Sequence, residues 1–252
     1  MNKLLKWILR LVLLSFVLGV IGVSVLYFTM GRDLPDVETL RDVQLQVPLR
    51  VYSQDGKLIS VFGEQRRIPV AIEEMPGDLK NAFIAGEDAR FYEHPGVDYQ
   101  GLTRAVITLA TTGEKSVGGS TITMMLARNF FLTLDKTYER KIKEIFLALR
   151  IEREFTKDEI LELFLNKILL GHRAYGVGAA ADVYYGKSLQ ELTLAQSAMI
   201  AALPKAPSRI NPITSPERAL ERRNYVLSRM LELGYIDQAA HDAAFESPDN
   251  AF

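Results

Sequence analysis

The chain opens with a long apolar stretch that has the length of a membrane span. Residues 11–30 carry no charged side chain, and a helix of this length matches a hydrocarbon core of roughly 30 Å. Lys3, Lys6 and Arg10 precede the stretch. Because flanking positive charge stays on the cytoplasmic side, we predict a cytoplasmic tail at 1–10 and a transmembrane helix at 11–30. The rest of the chain would then lie across the membrane.

A cleaved signal peptide is the alternative interpretation of this stretch. Its apolar core would span about 7–15 residues and would end in small residues. Here the stretch is longer and ends in Tyr27, Phe28, Thr29 and Met30, where aromatic rings suit a membrane interface. The pattern therefore favours a retained anchor.

A polar linker and a short strand pattern follow the anchor over residues 31–70. Residues 51–62 are predicted to form a β-hairpin, because Asp55-Gly56 is a turn sequence between two strand-like segments. Everything beyond this hairpin is predicted to be helical.

Capping and helix-breaking residues mark several helix boundaries in the remaining chain. The predicted starts are Asp78, the capping boxes Thr156–Glu159 and Thr193–Gln196, and Ser215-Pro216. The predicted ends are Gly171, Pro204 and Gly234. Residues 137–154 are apolar nearly all round over 145–149, which predicts a buried central helix. The pattern as a whole predicts a mainly α-helical globule with a small β-hairpin segment, preceded by one transmembrane helix.

Composition narrows the classes of function. The 252 residues carry a net charge of −1, so a general nucleic-acid-binding surface is not expected and any anion site must be local. There is no cysteine, which excludes disulfides, a thiol nucleophile and a thiolate metal site. The histidines, His94, His172 and His241, lie far apart and show no metal-ligand spacing.

Glu87 is the first candidate for chemistry. It lies four residues after Phe83, near the apolar side of a predicted helix, and partial burial would raise its pKa towards a value useful for a general base. Asp88 is adjacent, Arg90 could balance the charge, and His94-Pro95-Gly96 could form a rigid turn that orients the site. An ordinary acid that turns to solvent at a helix end is the alternative, and the residues alone leave both open.

Glu144 is the second candidate. On a helix, Arg140 and Glu144 are one turn apart and can form an ion pair. Routine ion pairs on a solvated face are the alternative. However, apolar turns follow, and a charged group entering a buried helix needs partners. A phosphate would suit Arg140, Lys141 and Arg128, because guanidinium groups bind phosphate oxygens in a bidentate manner.

A glycine-containing segment at 111–123 lies between these two regions. It holds Gly113, Gly118 and Gly119 among small polar residues, which is typical of a mobile surface loop. The alternative is a loop that gates a substrate, with Ser120 and Thr121 capping the next helix and presenting backbone N–H groups to an anion. It is not a P-loop, since the Gly-Lys-Ser/Thr ending is missing.

Four sequence motifs, in order, resemble those of the peptidoglycan glycosyltransferases. These are membrane-anchored enzymes that occur as monofunctional proteins and as the N-terminal half of class A penicillin-binding proteins. The resemblance covers about residues 48–236. The motifs are Glu87-Asp88-x-x-Phe91-x-x-His94-x-Gly96, Gly119-Ser120-Thr121-Ile122-Thr123, Arg140-Lys141-x-x-Glu144 and Glu162-x-x-Leu165-Asn166-x-x-x-x-Gly171.

The resemblance implies a lysozyme-like, two-lobed helical domain, expected here over 71–236. It also implies a reaction in which lipid II is polymerised into β-1,4 glycan strands with release of undecaprenyl diphosphate and inversion at the anomeric carbon. The expected location is a bacterial inner membrane, crossed once, with the catalytic domain on the periplasmic side. Moenomycin, the phosphoglycolipid inhibitor of the family, would block the reaction.

The resemblance also assigns roles to residues. Glu87 would be the general base that deprotonates the acceptor's 4-hydroxyl, and Glu144 would assist at the donor's diphosphate. Arg128, Arg140 and Lys141 would contact the diphosphate. The cleft would be shaped by Asp88, Phe91, His94, Ser120, Thr121, Met125, Asn166 and Gly171. No resident cofactor is implied with certainty; a divalent cation, Mg²⁺ or Mn²⁺, at the diphosphate stays open.

The sequence departs from the family at Met124 and Met125, where two glutamines are usual. Methionine replaces the volume of glutamine but not its amide, so Met125 is expected to weaken one substrate contact by about 1 kcal/mol. No Ser-x-x-Lys or Lys-Thr-Gly motif of a transpeptidase is present. We therefore expect a monofunctional enzyme or a truncated bifunctional one, with 237–252 as the start of a linker to a missing C-terminal domain.

Two other classes of function compete with this interpretation. A lysozyme-like hydrolase or lytic transglycosylase would share a helical fold and a catalytic glutamate, but it would need neither the basic cluster nor the anchor. A non-catalytic membrane adaptor would use the helices to hold other cell-wall synthesis proteins. The expected partners are lipid II, the lipid-linked glycan chain and the membrane, with no nucleic acid; contacts with other cell-wall synthesis proteins stay open.

Overall fold

The structure is a computed structural model that describes residues 3–32, 34–43, 45, 48–63, 65–113, 119–133, 135 and 137–252. The described part is mainly helical, as predicted. Its α-helices are α1 Lys3–Leu26, α2 Gly77–Glu87, α3 Tyr99–Thr112, α4 Ile122–Phe131, α5 Tyr138–Glu154, α6 Lys157–Lys167, α7 Val177–Tyr185, α8 Leu194–Ala202, α9 Pro216–Glu232 and α10 Gln238–Glu246. Its strands are β1 Leu49–Tyr52, β2 Leu58–Phe62, β3 Arg66–Arg67 and β4 Ala174–Tyr175.

The N-terminal helix is exposed along its length. In the described chain one helix, Leu5–Gly31, is long and apolar enough to cross a membrane, and it contains the predicted stretch 11–30. Its last turn, Tyr27–Gly31, is π-helical. Of the linker predicted after it, Asp33, Gln44, Gln46 and Val47 lie outside the described residues.

The hairpin prediction is confirmed. Strands β1 and β2 pair antiparallel, with Leu49 opposite Phe62, and Gly56 in the turn has φ +79°. The prediction that everything beyond is helical is wrong in one place. Strand β3 pairs in parallel with β4, with Arg66 opposite Ala174. Each of these strands has two residues, which is too short for a periodic pattern to reveal.

Two groups of helices enclose one continuous core. Helices α2, α8 and α9 pack together, and α4, α5 and α6 form the second group. Phe83 of α2 meets Phe164 of α6 edge to face, with ring centroids 6.2 Å apart, so the two groups share apolar contacts. The functional candidates at the end of α2 and on α4 and α5 lie where these groups meet.

Several local predictions of helix boundaries are confirmed. Thr156 and Thr193 each form the predicted capping box. Pro216 is the first residue of α9, although the side chain of Ser215 makes no capping hydrogen bond. Gly234 follows the end of α9 with φ +72°, which is the usual C-terminal use of glycine.

Other boundary predictions are wrong. Asp78 lies inside the first turn of α2, whose N-cap is Pro76. Helix α6 ends at Lys167, four residues before Gly171. By contrast, the prediction that Pro204 ends α8 is confirmed, because the helix stops at Ala202 and Pro204 lies in the 3₁₀ turn Leu203–Lys205 that follows.

Helix α5 is buried on one side, so the prediction of a fully buried central helix is wrong. Leu147 and Ala148 are buried, whereas Ile145, Phe146 and Leu149 are half-buried. Phe146 instead meets Tyr27 of the N-terminal helix, with ring centroids 5.8 Å apart. The outer side of α5 therefore packs on the end of the candidate anchor.

The C-terminal residues are folded on the domain. Asp237 caps α10 by accepting a hydrogen bond from Ala240 N at 2.8 Å. That residues 237–252 begin a linker to a missing C-terminal domain stays a prediction. After α10 the chain packs back on the domain, where Phe252 N donates to the carbonyl oxygen of Tyr184 at 3.1 Å.

The turn at Gly171 leaves no room for a side chain, and a substitution there tests this crowding. Its φ is +90°, and a Cβ there would lie 2.5 Å from Pro207 O and 2.6 Å from Tyr184 Oη. Gly171→Ala should therefore lower the free energy of unfolding by about 2–4 kcal/mol, measured by urea unfolding in detergent. Gly56→Ala is the matched control, because φ is +79° and, in the part of the chain that the structure describes, no atom beyond the two chain neighbours lies within 4 Å of the added Cβ; its cost should be about 1 kcal/mol. Equal costs would contradict the crowding argument.

Candidate functional site

Glu87 is the last residue of α2 and is largely withdrawn from solvent. Its side chain is 15% exposed, and Arg222 Nη2 lies 3.4 Å from its Oε1. Burial raises the pKa of the Glu87 carboxyl, and Arg222, Lys205 and Arg128 partly oppose that rise. The upward shift of the Glu87 pKa agrees in direction with the prediction, and its main cause is desolvation of the carboxylate.

Asp88 ties the end of α2 to the start of α4. Its buried carboxylate accepts hydrogen bonds from Ile122 N at 2.9 Å and from His94 Nε2 at 2.9 Å. His94 Nδ1 accepts from Gly96 N at 3.1 Å, so the ring proton is on Nε2. The interaction fixes the backbone that follows Glu87.

Among the described residues Arg90 forms no ion pair with Glu87 or Asp88, so the prediction that it balances the charge of this acidic pair is wrong. Its guanidinium pairs with Asp98 and donates to Gln100. Asp98 in turn accepts from Gly101 N at 2.8 Å in the first turn of α3. Glu87 and Asp88 are nearer to Arg90 in sequence, whereas the fold brings the carboxylate of Asp98 to its guanidinium.

Thr121 adds a second bond between the same segments. Its hydroxyl donates to Gly96 O at 2.6 Å and accepts from Met124 N at 3.1 Å, which confirms it as the cap of α4. Gly96 has φ +94°, and a Cβ there would lie 2.9 Å from Ala148 O. Glycine is therefore required for the turn to lie directly against α5.

Glu144 is surrounded by cationic groups. Its side chain is 1% exposed. Arg140 and Lys141 both pair with it, the latter at 3.2 Å, and Arg128 Nη1 lies 4.0 Å away. One negative charge thus faces three positive charges, and the surplus suits an anion that carries more than one charge. The predicted Arg140–Glu144 ion pair is confirmed.

Two contacts link the cleft at Glu87 to the cationic cluster at Glu144. Ser120 lines the same cleft as Glu87, and its hydroxyl accepts a hydrogen bond from Lys141 Nζ at 2.7 Å. Ser120 is therefore bound from α5 and is not the helix cap that the sequence suggested. Arg128, whose side chain is 29% exposed, acts electrostatically on Glu87 and also lies near Glu144.

The loop between these regions is described only in part. Gly118 and residues 114–117 of the predicted gating segment lie outside the described residues. Gly119 is described, and a Cβ there would lie 2.8 Å from Leu102 Cδ2. The end of the segment therefore lies against α3, and the gating role stays a prediction.

Four of the predicted cleft residues lie in the scaffold around the groove. Phe91 is fully buried under Lys157 Nζ, 4.6 Å from the ring centroid. Asn166 Nδ2 donates to Val70 O at 2.8 Å, and its Oδ1 accepts from Val70 N at 2.9 Å. Gly171 permits the crowded turn described above. Met125 is part of the apolar core. Their roles in substrate binding stay predictions.

Sequence reasoning missed Arg222 and Lys205. Arg222 lies on α9 and Lys205 in the 3₁₀ turn after α8, and both act on Glu87. No local pattern could have found Arg222, because it lies 135 positions from Glu87 in sequence. Only the packing of α9 on α2 brings the two side chains together.

The donor set at Glu144 does not fit a resident metal ion. The two carboxylate oxygens of Glu144 are engaged by Arg140 and by Lys141. In the described ranges no group of three or more histidine, aspartate or glutamate side chains could hold an ion. A divalent cation held by the donor's diphosphate stays a prediction.

The hydrogen bonds of Asp88 can be tested with an isosteric change. In Asp88→Asn, the amide oxygen can still accept the hydrogen bond from His94, but the NH₂ group then faces the N–H of Ile122. This donor–donor contact should lower the free energy of unfolding by about 1–3 kcal/mol, measured by urea unfolding in detergent. The control is Asp78→Asn in the first turn of the same helix, with an expected loss of about 0.3 kcal/mol. An unchanged value for Asp88→Asn would argue against this interaction.

Comparisons with known proteins identify the family of the chain. A family model described as Transglycosylase matches residues 55–231. Penicillin-binding protein 1A from Vibrio cholerae is 56% identical over 247 residues, covering 97% of this chain and 30% of that protein. Penicillin-binding protein 1A from Escherichia coli is 54% identical over 258 residues, covering 99% of this chain and 30% of that protein.

A solved structure is also similar. The crystal structure of penicillin-binding protein 1A from Haemophilus influenzae has 38% identity and a TM-score of 0.49, covering 83% of this chain and 22% of that chain. The chain spans about 30% of the length of the curated relatives it matches. The family model covers more than half of the chain, and the motifs around Glu87 and Glu144 lie within the match. The chain therefore belongs to the transglycosylase family.

Proposed function

We propose that the chain is a peptidoglycan glycosyltransferase that polymerises lipid II into β-1,4 glycan strands and releases undecaprenyl diphosphate. The observation that carries this proposal is the link, through Ser120 and Arg128, between the cleft at the desolvated acid Glu87 and the cationic cluster around Glu144. Membership of the transglycosylase family and the similarity to penicillin-binding proteins 1A support it.

The proposed reaction is a single displacement. The Glu87 carboxylate accepts the proton of the acceptor's 4-hydroxyl, and that oxygen attacks the anomeric carbon of the donor sugar. The bond from this carbon to the diphosphate oxygen breaks, so an α-linked donor gives a β-linked product. A partly buried carboxyl with a raised pKa suits a general base at neutral pH.

The leaving diphosphate carries the negative charge that must be stabilised. Arg128, Arg140 and Lys141 supply positive charge at one end of the groove, as charge stabilisation of a leaving group requires. Glu144 is nearly inaccessible and is engaged by two of these cations. We therefore assign it a positioning role: it holds Arg140 and Lys141 in place and does not itself exchange a proton.

The membrane helix is proposed to hold the site beside the lipid. Arg150 of α5 donates to Gly31 O at 2.5 Å, and Phe146 meets Tyr27, so the helix that carries Glu144 packs on the end of the candidate span. Lys3, Lys6 and Arg10 favour a cytoplasmic N-terminus. The catalytic domain would then face the periplasmic side, where the diphosphate of a lipid-linked sugar reaches the groove.

Glu87→Gln tests the general base. Glutamine preserves the shape but cannot accept the proton, so the initial rate of polymer formation should fall by about a hundredfold or more. The assay is incubation with lipid II in detergent, with and without moenomycin, and separation of polymer, released lipid diphosphate and soluble sugar fragments. Glu93→Gln is the control, because its side chain is 69% exposed; its rate should be unchanged.

Each outcome of this assay decides between the classes of function. Polymer and lipid diphosphate support a glycosyltransferase, whereas soluble fragments would indicate a hydrolase or lytic enzyme. Unimpaired polymer formation by Glu87→Gln would exclude Glu87 as the base.

Arg222→Met tests the electrostatic tuning of that base. Glu87 must be ionised to accept a proton, so the rate falls as the pH drops through the pKa of its carboxyl. Arg222 lowers that pKa, and removing the guanidinium should raise it further. The acidic limb of the pH–rate profile should therefore move to higher pH, measured as initial rates with saturating lipid II. A limb that stays in place or moves to lower pH would contradict this assignment.

A further inference from the structure

We call the segment Ser247–Phe252 the C-terminal strap. It lies beyond residue 231, where the match to the family model ends. Contacts with α7, α8 and α9 nevertheless hold it on the domain. Tyr185 Oη of α7 donates to Asp249 at 2.9 Å, and Gln196 Nε2 of α8 donates to Asn250 Oδ1 at 2.9 Å. The ring of Phe252 covers Gly186, where a Cβ would lie 2.9 Å from its Cζ. These contacts make the strap part of the folded domain.

Arg223 of α9 is the central contact of this region. It is 2% exposed; its Nη1 donates to Ser247 O at 2.7 Å and its Nη2 to Phe245 O at 2.8 Å. These carbonyl groups belong to the C-terminal end of α10, where unsatisfied acceptors favour a cation. Asp249 also acts electrostatically on Arg223. A buried arginine therefore joins α9 to the strap and to the end of α10.

Arg222, which precedes Arg223 on the same helix, lies beside Glu87. Arg222 Nη2 lies 3.3 Å from Gly86 O and 3.4 Å from Glu87 Oε1, which is at the long end of hydrogen-bond distances. Its guanidinium lies over the ring of Tyr225, 4.3 Å from the centroid, and its buried Nε has no hydrogen-bond partner in the part of the chain that the structure describes. Few contacts hold this side chain, so the position of the α9 backbone decides whether it reaches Glu87.

Helix α9 has little freedom on the side of α2. A Cβ at Gly86 would lie 3.2 Å from Val226 Cγ2, so the two helices are in close contact one turn from Arg222. A displacement of α9 by a few tenths of an ångström would lengthen both contacts of Arg222 beyond hydrogen-bond distance. At the neighbouring position, Arg223 joins α9 to the strap and to the end of α10.

We propose that Arg223 is a positioning residue for the reaction: by tying the C-terminal strap to α9, it holds the neighbouring Arg222 against Glu87. This inference rests on the proposed function, because its readout is the protonation of the general base. It extends the catalytic unit beyond the residues of the family match, to Phe252.

The charges that face Glu87 come from several elements. Arg222 lies on α9, Lys205 in the turn after α8 and Arg128 on α4. Asp88 is engaged by His94, and the same cleft is lined by Arg90, Asp98 and Arg104. Only Arg222 lies next to the residue that holds the strap, so loss of the strap contact should act on Glu87 through this one cation.

Arg223→Met is the main test, with initial rates of lipid II polymerisation in detergent from about pH 5 to about pH 9. The acidic limb should move to higher pH, so that the rate at about pH 6 relative to about pH 8 falls about threefold. Arg229→Met is the matched control, since Arg229 lies on the same helix and pairs with Glu232 at the surface. It should leave the limb in place.

A double-mutant cycle separates positioning from general loss of stability. If Arg223 acts through Arg222, Arg223→Met should move the limb in the native background and not in the Arg222→Met background. A limb that does not move, with a lowered melting temperature, would overturn the proposal. A shift of the same size in both backgrounds would also overturn it.

Milder variants keep the test decisive if Arg223→Met does not fold. Arg223→Lys keeps the charge but reaches fewer carbonyl groups, and Tyr185→Phe removes the hydroxyl that holds Asp249; each should move the limb in the same direction by less. Native limbs in both folded variants would overturn the proposal. Failure of the proposed function is distinguishable, because the unchanged chain would then form no polymer at any pH.

Discussion

The carboxylate of Asp88 joins the end of α2 to the start of α4, and the arrangement of the candidate site depends on this interaction. It accepts hydrogen bonds from Ile122 N and His94 Nε2, and Thr121 adds a bond to Gly96 across the same junction. Glu87 precedes Asp88 directly and Ser120 precedes Thr121, so one buried interaction fixes the backbone of both sides of the groove. A buried polar network of this kind is stable only when each member has its partners.

Different electrostatic environments support the different roles that we propose for the two glutamates. Glu87 is desolvated, and its nearest cation lies at 3.4 Å, so burial dominates and its pKa rises. Glu144 is even less exposed but has Arg140 and Lys141 as direct partners. The first group is suited to accept a proton, and the second to hold two cations for an anion. The partners of each carboxylate are therefore the reason why we propose one as the base and the other as a support.

Local features of the fold could be predicted from the sequence, and features set by distant packing could not. The capping boxes at Thr156 and Thr193 and the Asp55-Gly56 hairpin were found because their signals span only a few residues. The pairing of β3 with β4, the contact of Arg222 with Glu87 and the attachment of the C-terminal strap join residues far apart in sequence. Arg90 illustrates the same limit within the site, since its partner is Asp98 and not the nearer Asp88. The motifs indicated the candidate residues, whereas only the fold shows which of them contact one another.

A crystal structure of the Glu87→Gln variant with lipid II bound as donor and acceptor would test the proposed site most directly. We predict that the acceptor's 4-hydroxyl lies within about 3.2 Å of the amide at position 87. We also predict that the donor's diphosphate oxygens accept hydrogen bonds from Arg140 and Lys141. A diphosphate bound away from these cations, or a 4-hydroxyl that faces another carboxylate, would contradict these predictions.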